Sequence, residues 1–149
     1  MDELIQRFYT AFNEKDGDTM AACYAPDAHF HDPVFGDLTG TEAGAMWRML
    51  TGRAKDLRVE LAAFASEGDS GSAHWIAHYT FAQTGRPVVN DIRATFKFKD
   101  GLIVDHHDDF DFKKWSRQAI GLPGLLPPVR STIRKKARAG LDEYMAAER

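Results

Sequence analysis

The chain has 149 residues, which is enough for one domain with a hydrophobic core and too few for two ordinary domains. Hydrophobic residues make up 44% and charged residues 28%, the proportions of a soluble globular protein, and a net charge of −3 argues against a dedicated nucleic-acid-binding protein. The single cysteine, Cys23, excludes an internal disulfide and a cysteine-rich metal site.

The first residues of the chain are acidic, whereas a secretory leader begins with basic residues followed by an apolar run. No stretch approaches the ~20 apolar residues that a membrane-spanning helix needs. We therefore expect a cytoplasmic protein without a membrane partner.

Two helices are predicted at the start of the chain. Asp2 is a suitable N-cap for the first, which ends near Asn13, and Asp18 caps a short second helix that runs to Tyr24. The first helix is amphipathic, since apolar residues recur at helical spacing at Leu4, Ile5, Phe8 and Phe12. Pro26 ends the second helix.

A strand is predicted over residues 28–34, with His29 and His31 on one face. The opposite face holds an acid between two apolar residues, in the order Phe30, Asp32, Val34. A carboxyl on an otherwise apolar face is unusual, because burial without hydrogen bonds is costly. Asp32 is therefore a candidate catalytic residue or, alternatively, an acceptor for backbone N–H groups of the following loop.

A third helix and three strands come next. Thr41 caps the helix, which runs to Leu50 and has Trp47 as its largest apolar residue. The strands span residues 57–63, 72–83 and 88–99. The inward positions of the last two are Trp75, Ala77, Tyr79 and Phe81, then Asn90, Ile92, Ala94, Phe96 and Phe98.

The last strand carries the residues that we interpret as the chemical centre. Within residues 101–112, alternate positions begin and end apolar and enclose His106 and Asp108. An imidazole and a carboxyl two residues apart on one inward face are close enough to share a proton. The pair is therefore a base with its orienting partner, or a buried pair that only holds the strand in register.

The turn before this strand, Asp100-Gly101, allows two registers. A two-residue loop pairs Phe98 with Ile103, whereas a three-residue loop with Gly101 in a left-handed bulge pairs Phe98 with Leu102. Only the second keeps both apolar faces on one side, so we predict it. The pairs that follow are Ala94 with His106 and Ile92 with Asp108.

The end of the chain is predicted to be helical. Asp111 caps a short helix that runs to Ala119 and is closed by Gly121, and the proline-rich residues 122–128 cross the domain without regular structure. A final helix has a basic face and an apolar stripe formed by Val129, Ile133, Ala137, Leu141 and Met145. The order of the elements indicates an α+β domain with a mostly antiparallel sheet.

Several segments together carry a family resemblance: residues 6–16, Tyr24-Ala25-Pro26-Asp27-Ala28, Asp32-Pro33, Thr84-Gly85-Arg86, Phe96-Lys97-Phe98 and Asp108-Asp109-Phe110-Asp111. They resemble the SnoaL-like branch of the nuclear transport factor two superfamily, which includes ketosteroid isomerase and limonene epoxide hydrolase. The resemblance covers residues 1–121. It implies a cone, in which a curved, mostly antiparallel sheet wraps around the N-terminal helices and leaves a small apolar pocket, and it implies a homodimer. Residues 122–149 add a crossing segment and an extra C-terminal helix, predicted to pack on the same domain.

The resemblance to ketosteroid isomerase is partial at the catalytic residues. Asp32 matches the position of its general base, but Phe8 and Ala94 stand where that enzyme has its oxyanion donors. We therefore do not predict steroid isomerisation.

The resemblance to limonene epoxide hydrolase is also partial. Asp108 matches an acid that positions the water, whereas Trp75 and Ala77 stand where its Arg and Asp partners would be. SnoaL itself uses an acid in the pocket for proton abstraction without a cofactor, and this sequence is compatible with such a role.

Alternation and resemblance together predict a pocket with apolar walls and a few polar groups. The candidate catalytic residues are Asp108, His106 and Asp32, and the candidate substrate-binding residues are Asn90, Tyr79, Trp75, Phe30, Phe81, Phe96 and Phe110. We expect a cofactor-independent acid/base enzyme that acts on a small apolar molecule with a carbonyl or epoxide group. The alternatives are a non-catalytic domain that binds a metabolite and a dimerising scaffold without a ligand.

The histidines raise the question of a metal site, since imidazole and carboxylate groups are good ligands. By alternation, His29, His31, His74 and His78 all fall on the outer face of the sheet. Three of them would converge only if that face folded over, so we expect neither a metal site nor a cofactor.

Overall fold

The computed structural model describes all 149 residues. The helices are α1 (Asp2–Asn13), α2 (Gly17–Ala22), α3 (Gly40–Arg53), α4 (Phe112–Ile120) and α5 (Pro127–Ala147). The strands are β1 (Tyr24–Asp32), β2 (Gly36–Thr39), β3 (Arg58–Glu67), β4 (Ser70–Phe81), β5 (Arg86–Lys99) and β6 (Leu102–Asp109). The stretch predicted to lack regular structure contains a 3-10 helix (Leu122–Leu125). The predicted α+β class is confirmed. None of the helices is both long enough and apolar enough to cross a membrane.

The strands form one sheet in the order β2-β1-β6-β5-β4-β3. Neighbouring strands are antiparallel except β1 and β6, which run parallel. The pairing shifts register at one point in each of β1/β6, β3/β4 and β5/β6. Since such irregularities bend strands and increase their twist, the sheet curves, and α1 and α3 pack against it through β3 and β1.

Phe8 of α1 lies at the centre of the core. Its ring centroid is 5.8 Å from those of Tyr24 and Trp47 and 6.4 Å from that of Phe96, each in an edge-on arrangement. The sheet contributes alternate residues of β5 to this core, and the predicted inward set is confirmed, since Asn90, Ile92, Ala94, Phe96 and Phe98 are all buried.

The turn between β5 and β6 has two residues rather than the predicted three. Phe98 pairs with Ile103, and the turn residues Asp100 and Gly101 have φ values of 54° and 76°, as a type I′ turn requires. The predicted pairing of Phe98 with Leu102 is therefore wrong.

A bulge beyond this turn restores the predicted orientation of β6. Val104 is the extra residue, and after it His106 pairs with Phe96 and Asp108 with Ala94. The predicted partners of both residues are therefore wrong by two positions. Because one inserted residue inverts the alternation, the side chains of His106 and Asp108 are nonetheless buried, as the sequence predicts.

The caps of α2 and α3 differ from the predicted ones. Asp16, rather than Asp18, accepts the backbone N–H three residues later. Thr39 and Glu42 form a capping box, so the N-cap of α3 is Thr39, two residues before the predicted cap Thr41. The residues before this cap form β2, which was expected to be a loop and pairs with the end of β1.

The C-terminal helix α5 is attached to α3. Leu141 is fully buried in the core, and Arg138 pairs with Glu42 at 2.7 Å. Arg48 donates two hydrogen bonds of 2.9 Å to the carboxylate of Glu148. Arg134, on the basic face of α5, donates to the backbone oxygen of Pro33, which places that face beside the end of β1.

Candidate functional site

A chain of buried hydrogen bonds runs through the interior. Trp47 Nε1 donates to Tyr24 Oη over 2.9 Å, and Tyr24 Oη lies 2.7 Å from His106 Nδ1. His106 Nε2 lies 3.0 Å from Asp108 Oδ1, which also accepts from Trp75 Nε1 over 3.3 Å. None of the five residues is more than 5% exposed. The inward contact that the sequence predicts between His106 and Asp108 is present.

The partners of His106 determine which ring nitrogen carries the proton. Tyr24 Oη receives the Trp47 N–H, and its own hydrogen has only Nδ1 of His106 as an acceptor. Nε2 then carries the imidazole proton and donates to Asp108. Each N–H or O–H in this hydrogen-bond network therefore donates in the direction of Asp108. The Asp108 carboxylate accepts from both His106 Nε2 and Trp75 Nε1.

His106 itself is enclosed by aromatic rings. The ring centroids of Phe96, Phe30 and Phe8 lie 4.3, 5.1 and 5.8 Å from that of the imidazole. The side chain is 0% exposed. A molecule bound outside this core would therefore have no direct contact with the imidazole, whose Nε2 contacts only Asp108.

Tyr9 is a second polar group in this region. Its hydroxyl is buried without a hydrogen-bond partner, and its ring centroid lies 5.7 Å from that of Trp75. Burial raises the pKa of Tyr9 well above its ordinary value, and the charge of Asp108 raises it further. Tyr9 also lines a cleft of about 260 Å³ between α1 and β3. Since an unmet buried hydroxyl costs ~1–3 kcal/mol, an acceptor that reached the Tyr9 hydroxyl would be bound favourably.

Asp32 ends β1 and closes the loop that follows. Its Oδ1 accepts the backbone N–H groups of Val34 (2.8 Å) and Phe35 (2.6 Å), as the alternative interpretation of the sequence expects. Burial raises the pKa of Asp32 to about 6, the two backbone hydrogen bonds oppose the rise, and the charge of Asp108 adds to it. Both hydrogen bonds end on Oδ1, so Oδ2 is the oxygen available to another proton.

A cleft of about 530 Å³ opens beside Asp32, between residues 31–36 and the basic face of α5. Arg134 forms part of this wall, because its Nε donates to Pro33 O over 2.9 Å and its guanidinium lies 4.7 Å from the centroid of the Phe112 ring. The entrance next to the acid is therefore positively charged.

The other predicted binding residues divide between two apolar clusters. Phe81 packs with α4, where its ring centroid is 5.4 Å from that of Trp115, and does not join the group around His106. Tyr79, whose hydroxyl accepts the Trp115 N–H over 2.6 Å, and Phe110 contact both clusters. Asn90 is buried at 8% exposure on the inward face of β5. Of the predicted set, Trp75 is itself a member of the buried hydrogen-bond network, and Phe30 and Phe96 pack against its His106.

Three residues of the site were not predicted from the sequence. Tyr9 follows Ile5 by four positions, a helical spacing that could have placed it on the buried face of α1. Tyr24 was assigned to a helix but begins β1, and its contact with His106 depends on the pairing of β1 with β6. Trp47 was expected as a packing residue, and nothing local indicates its hydrogen bond.

The outer face of the same strands gathers histidines and acids. His29 lies beside Asp105 in the parallel pairing of β1 with β6, and ligand atoms of His29, Asp105 and His107 lie within 4.8 Å of one another. Of the four outward histidines considered in the sequence analysis, this group contains only His29, and its other members, Asp105 and His107, were not considered there. They lie beside His29 because β1 adjoins β6, a strand order that the sequence does not indicate.

A family model described as SnoaL-like domain matches residues 5–106 of the chain. No curated protein matches the sequence.

Several solved structures share the fold. A protein with a ketosteroid isomerase-like fold from Catenulispora acidiphila DSM 44928, solved in complex with trimethylamine, is 16% identical with a TM-score of 0.71 over 85% of this chain and 98% of that chain. A candidate polyketide cyclase from Xanthomonas campestris pv. campestris is 23% identical with a TM-score of 0.66 over 78% and 94%. IdmH, a candidate polyketide cyclase from Streptomyces antibioticus, is 23% identical with a TM-score of 0.65 over 78% and 96%.

Proposed function

The chain belongs to the SnoaL-like domain family, and from that premise we propose that it binds a small, largely apolar molecule and acts on it as an acid/base enzyme without a cofactor. The cone-like α+β fold predicted from the sequence agrees with the ketosteroid isomerase-like fold of the similar structures. The reaction is of isomerase, cyclase or hydrolase type and begins with the removal of a proton by a carboxylate.

The observation that carries this proposal is the state of Asp32. A general base works best when its pKa lies near the pH of the reaction, and the pKa of this carboxyl is raised to about 6 by burial. At neutral pH Asp32 is ionised yet more basic than an exposed carboxylate. Its Oδ2 and the adjacent cleft of about 530 Å³ give a substrate proton a place to reach it.

In the proposed reaction, Asp32 Oδ2 takes a proton from a carbon next to a carbonyl, and the electron pair moves to the carbonyl oxygen. Asn90 and Tyr79 are the candidate donors to that oxygen, whereas Tyr9 lines the separate cleft between α1 and β3 and is not one of them. The protonated acid then returns the proton to another atom of the product. Asp108, held by His106 Nε2, is the alternative base.

The similar structures support the substrate class. Two of them are named as candidate polyketide cyclases, and polyketides carry several carbonyl groups on a carbon chain. A third was solved with trimethylamine, a small molecule. From these structures we infer for this chain a substrate that is a small molecule with a carbonyl group and apolar parts.

A non-catalytic ligand-binding domain is the second candidate function. It is favoured by one observation, the complete enclosure of His106 by aromatic rings, which is what a purely structural His–Asp pair would show. In that case the interior network holds β6 in register and the acids orient a ligand without taking its proton.

The experiment is α-proton exchange in D₂O, followed by NMR on a panel of small ketones and β-diketones that have first been shown to bind by ligand-detected NMR. We expect exchange with the unmodified chain, loss of exchange with retained binding for Asp32→Asn, and no effect of Asp27→Asn, which removes an exposed acid from the same strand. If exchange is lost with Asp108→Asn but not with Asp32→Asn, then Asp108 is the base. Binding without exchange would leave only the binding function.

The homodimer and the cytoplasmic location predicted from the sequence are also parts of this proposal. Light scattering on the purified chain checks the first, and cell fractionation checks the second.

A further inference from the structure

Five polar side chains form a row across three strands on the outer face of the sheet. In the pairing of β2, β1 and β6, Asp37 lies opposite His31, and His29 lies opposite Asp105. His107 follows on β6, opposite His31. Since the backbone of paired strands fixes these positions, the five groups are held together by the sheet itself.

The distances within the row match those among ligands of one small cation. His29 Nδ1 lies 3.1 Å from Asp105 Oδ1, and His107 Nε2 lies 3.4 Å from Asp105 Oδ2. Two atoms that each lie about 2.1 Å from a tetrahedral ion are about 3.4 Å apart. Little movement is therefore needed for the three groups to share an ion.

We propose that this outer face binds one divalent transition-metal ion of the Zn²⁺ class through His29, His107 and Asp105. Two imidazoles and a carboxylate suit Zn²⁺, Co²⁺, Ni²⁺ and Cu²⁺, whereas Ca²⁺ and Mg²⁺ prefer oxygen ligands alone. The fourth position faces solvent, where it takes a water or the neighbouring His31. The site lies on the opposite face of β6 from His106 and Asp108 and is independent of the proposed function.

A supporting carboxylate is present for the histidine ligand. Asp37 Oδ1 lies 2.8 Å from Nε2 of His29, the nitrogen that does not face Asp105. Metal-bound histidines commonly donate their second N–H to such a carboxylate, which orients the ring and strengthens it as a ligand. Asp37 also lies 3.1 Å from Nδ1 of His31, so it holds both rings of β1.

The site is accessible and its local charge suits a cation. The three histidines are each a little under half exposed, and Asp105 is 31% exposed. Asp37 and Asp105 contribute two negative charges, whereas the neighbouring strand places one positive charge, Lys97, opposite Asp105. An ion can therefore enter from solvent.

The test is isothermal titration calorimetry of the full chain, without an affinity tag and stripped of metal by a chelator, with ZnCl₂ and separately with CoCl₂. We expect one ion per chain, and Co²⁺ spectra typical of tetrahedral or five-coordinate rather than octahedral geometry. His107→Ala and Asp105→Asn should each remove binding in the range where the unmodified chain saturates. Asp37→Asn should weaken it about tenfold, as loss of a supporting carboxylate does elsewhere.

The matched control is His74→Ala, which removes a histidine of another outer-face pair, with Asp91 at 2.7 Å, from β4. It should leave stoichiometry and affinity unchanged. Circular dichroism confirms that each variant is folded, and His107→Gln replaces the alanine variant if that one unfolds. Absence of Zn²⁺ binding by the unmodified chain, or equal binding by the His107 and Asp105 variants, would overturn the proposal.

Discussion

Tyr24 and His106 are joined across the parallel strands by a hydrogen bond of 2.7 Å, and their rings stack with centroids 5.9 Å apart. Tyr24 begins β1, His106 lies in β6, and Trp47 of α3 donates to the same hydroxyl. The contact therefore ties three elements together and orients the imidazole that holds Asp108. It makes the alignment of the candidate acid depend on residues far from it in the sequence.

Replacing Tyr24 with Phe should destabilise the protein by about 2–6 kcal/mol. The change leaves His106 Nδ1 and Trp47 Nε1 without partners, and each buried unmet group costs ~1–3 kcal/mol. Urea denaturation measures the change in the free energy of unfolding.

Tyr9→Phe is the matched control, because it removes a buried hydroxyl that has no partner. Its free energy of unfolding should stay within ~0.5 kcal/mol of the unmodified chain or rise. Equal losses for both variants would show that the hydrogen bonds of Tyr24 are not the source of its effect.

Asp32→Asn should stabilise the protein at neutral pH. The pKa of Asp32 is raised from 3.8 to about 6 on folding, so between these values the folded protein binds a proton that the unfolded chain has released. The unmodified chain therefore loses stability relative to Asp32→Asn as the pH rises between these two values, and the full loss is reached above about pH 6. At about 1.4 kcal/mol per pKa unit, the cost is on the order of 3 kcal/mol.

The asparagine keeps an oxygen for the N–H groups of Val34 and Phe35, so the loop is retained. Unfolding free energies of both proteins should be compared from about pH 4 to pH 8, since titrating groups that do not interact with Asp32 cancel in the difference. A difference that does not change with pH would contradict the assigned burial of the charge.

Strand β5 shows which part of the fold can be predicted from the alternation of apolar and polar residues in the sequence. Its inward residues from Asn90 to Phe98 were all predicted, because β5 pairs antiparallel with both neighbours and packs one face on the core while the other faces solvent. The four-residue strand β2 was missed, since so short a run carries no periodic pattern.

The candidate site was predicted only where one strand decides it. The inward positions of His106 and Asp108 were predicted from unbroken alternation, but in the structure both their burial and their partners in β5 depend on the bulge at Val104. The contact with Tyr24 depends on the parallel pairing of β1 with β6, a relation between distant segments that no local pattern encodes. The same pairing gathers the outer-face histidines.

Leu141→Ala should destabilise the protein by about 2–5 kcal/mol, since this side chain of α5 is fully buried in the core and its loss leaves a cavity. Arg48→Gln breaks the ion pair with Glu148 in the same contact between helices, but both side chains are about 30% exposed, so the expected loss is at most ~1 kcal/mol. Urea denaturation compares the two. A larger loss of stability for Arg48→Gln than for Leu141→Ala would mean that α5 is held mainly by the ion pair and not by packing.

Gly40→Ala should destabilise the protein by about 1–3 kcal/mol or more, because a Cβ there would collide with the backbone carbonyl of Ala25 and lie 3.1 Å from Cβ of Ala28. At Gly40, the first residue of α3, the helix approaches β1 too closely for a side chain at that position. Gly52→Ala, on the same helix, is the control, since no atom lies within 4 Å of its added Cβ and helix propensity should raise stability by up to ~1 kcal/mol. The midpoint temperatures of thermal unfolding of the two variants should shift in opposite directions, downwards for Gly40→Ala and upwards for Gly52→Ala. If Gly40→Ala left the unfolding temperature unchanged, α3 and β1 would be able to move apart. The residues that place Tyr24 against His106 would then be able to move as well.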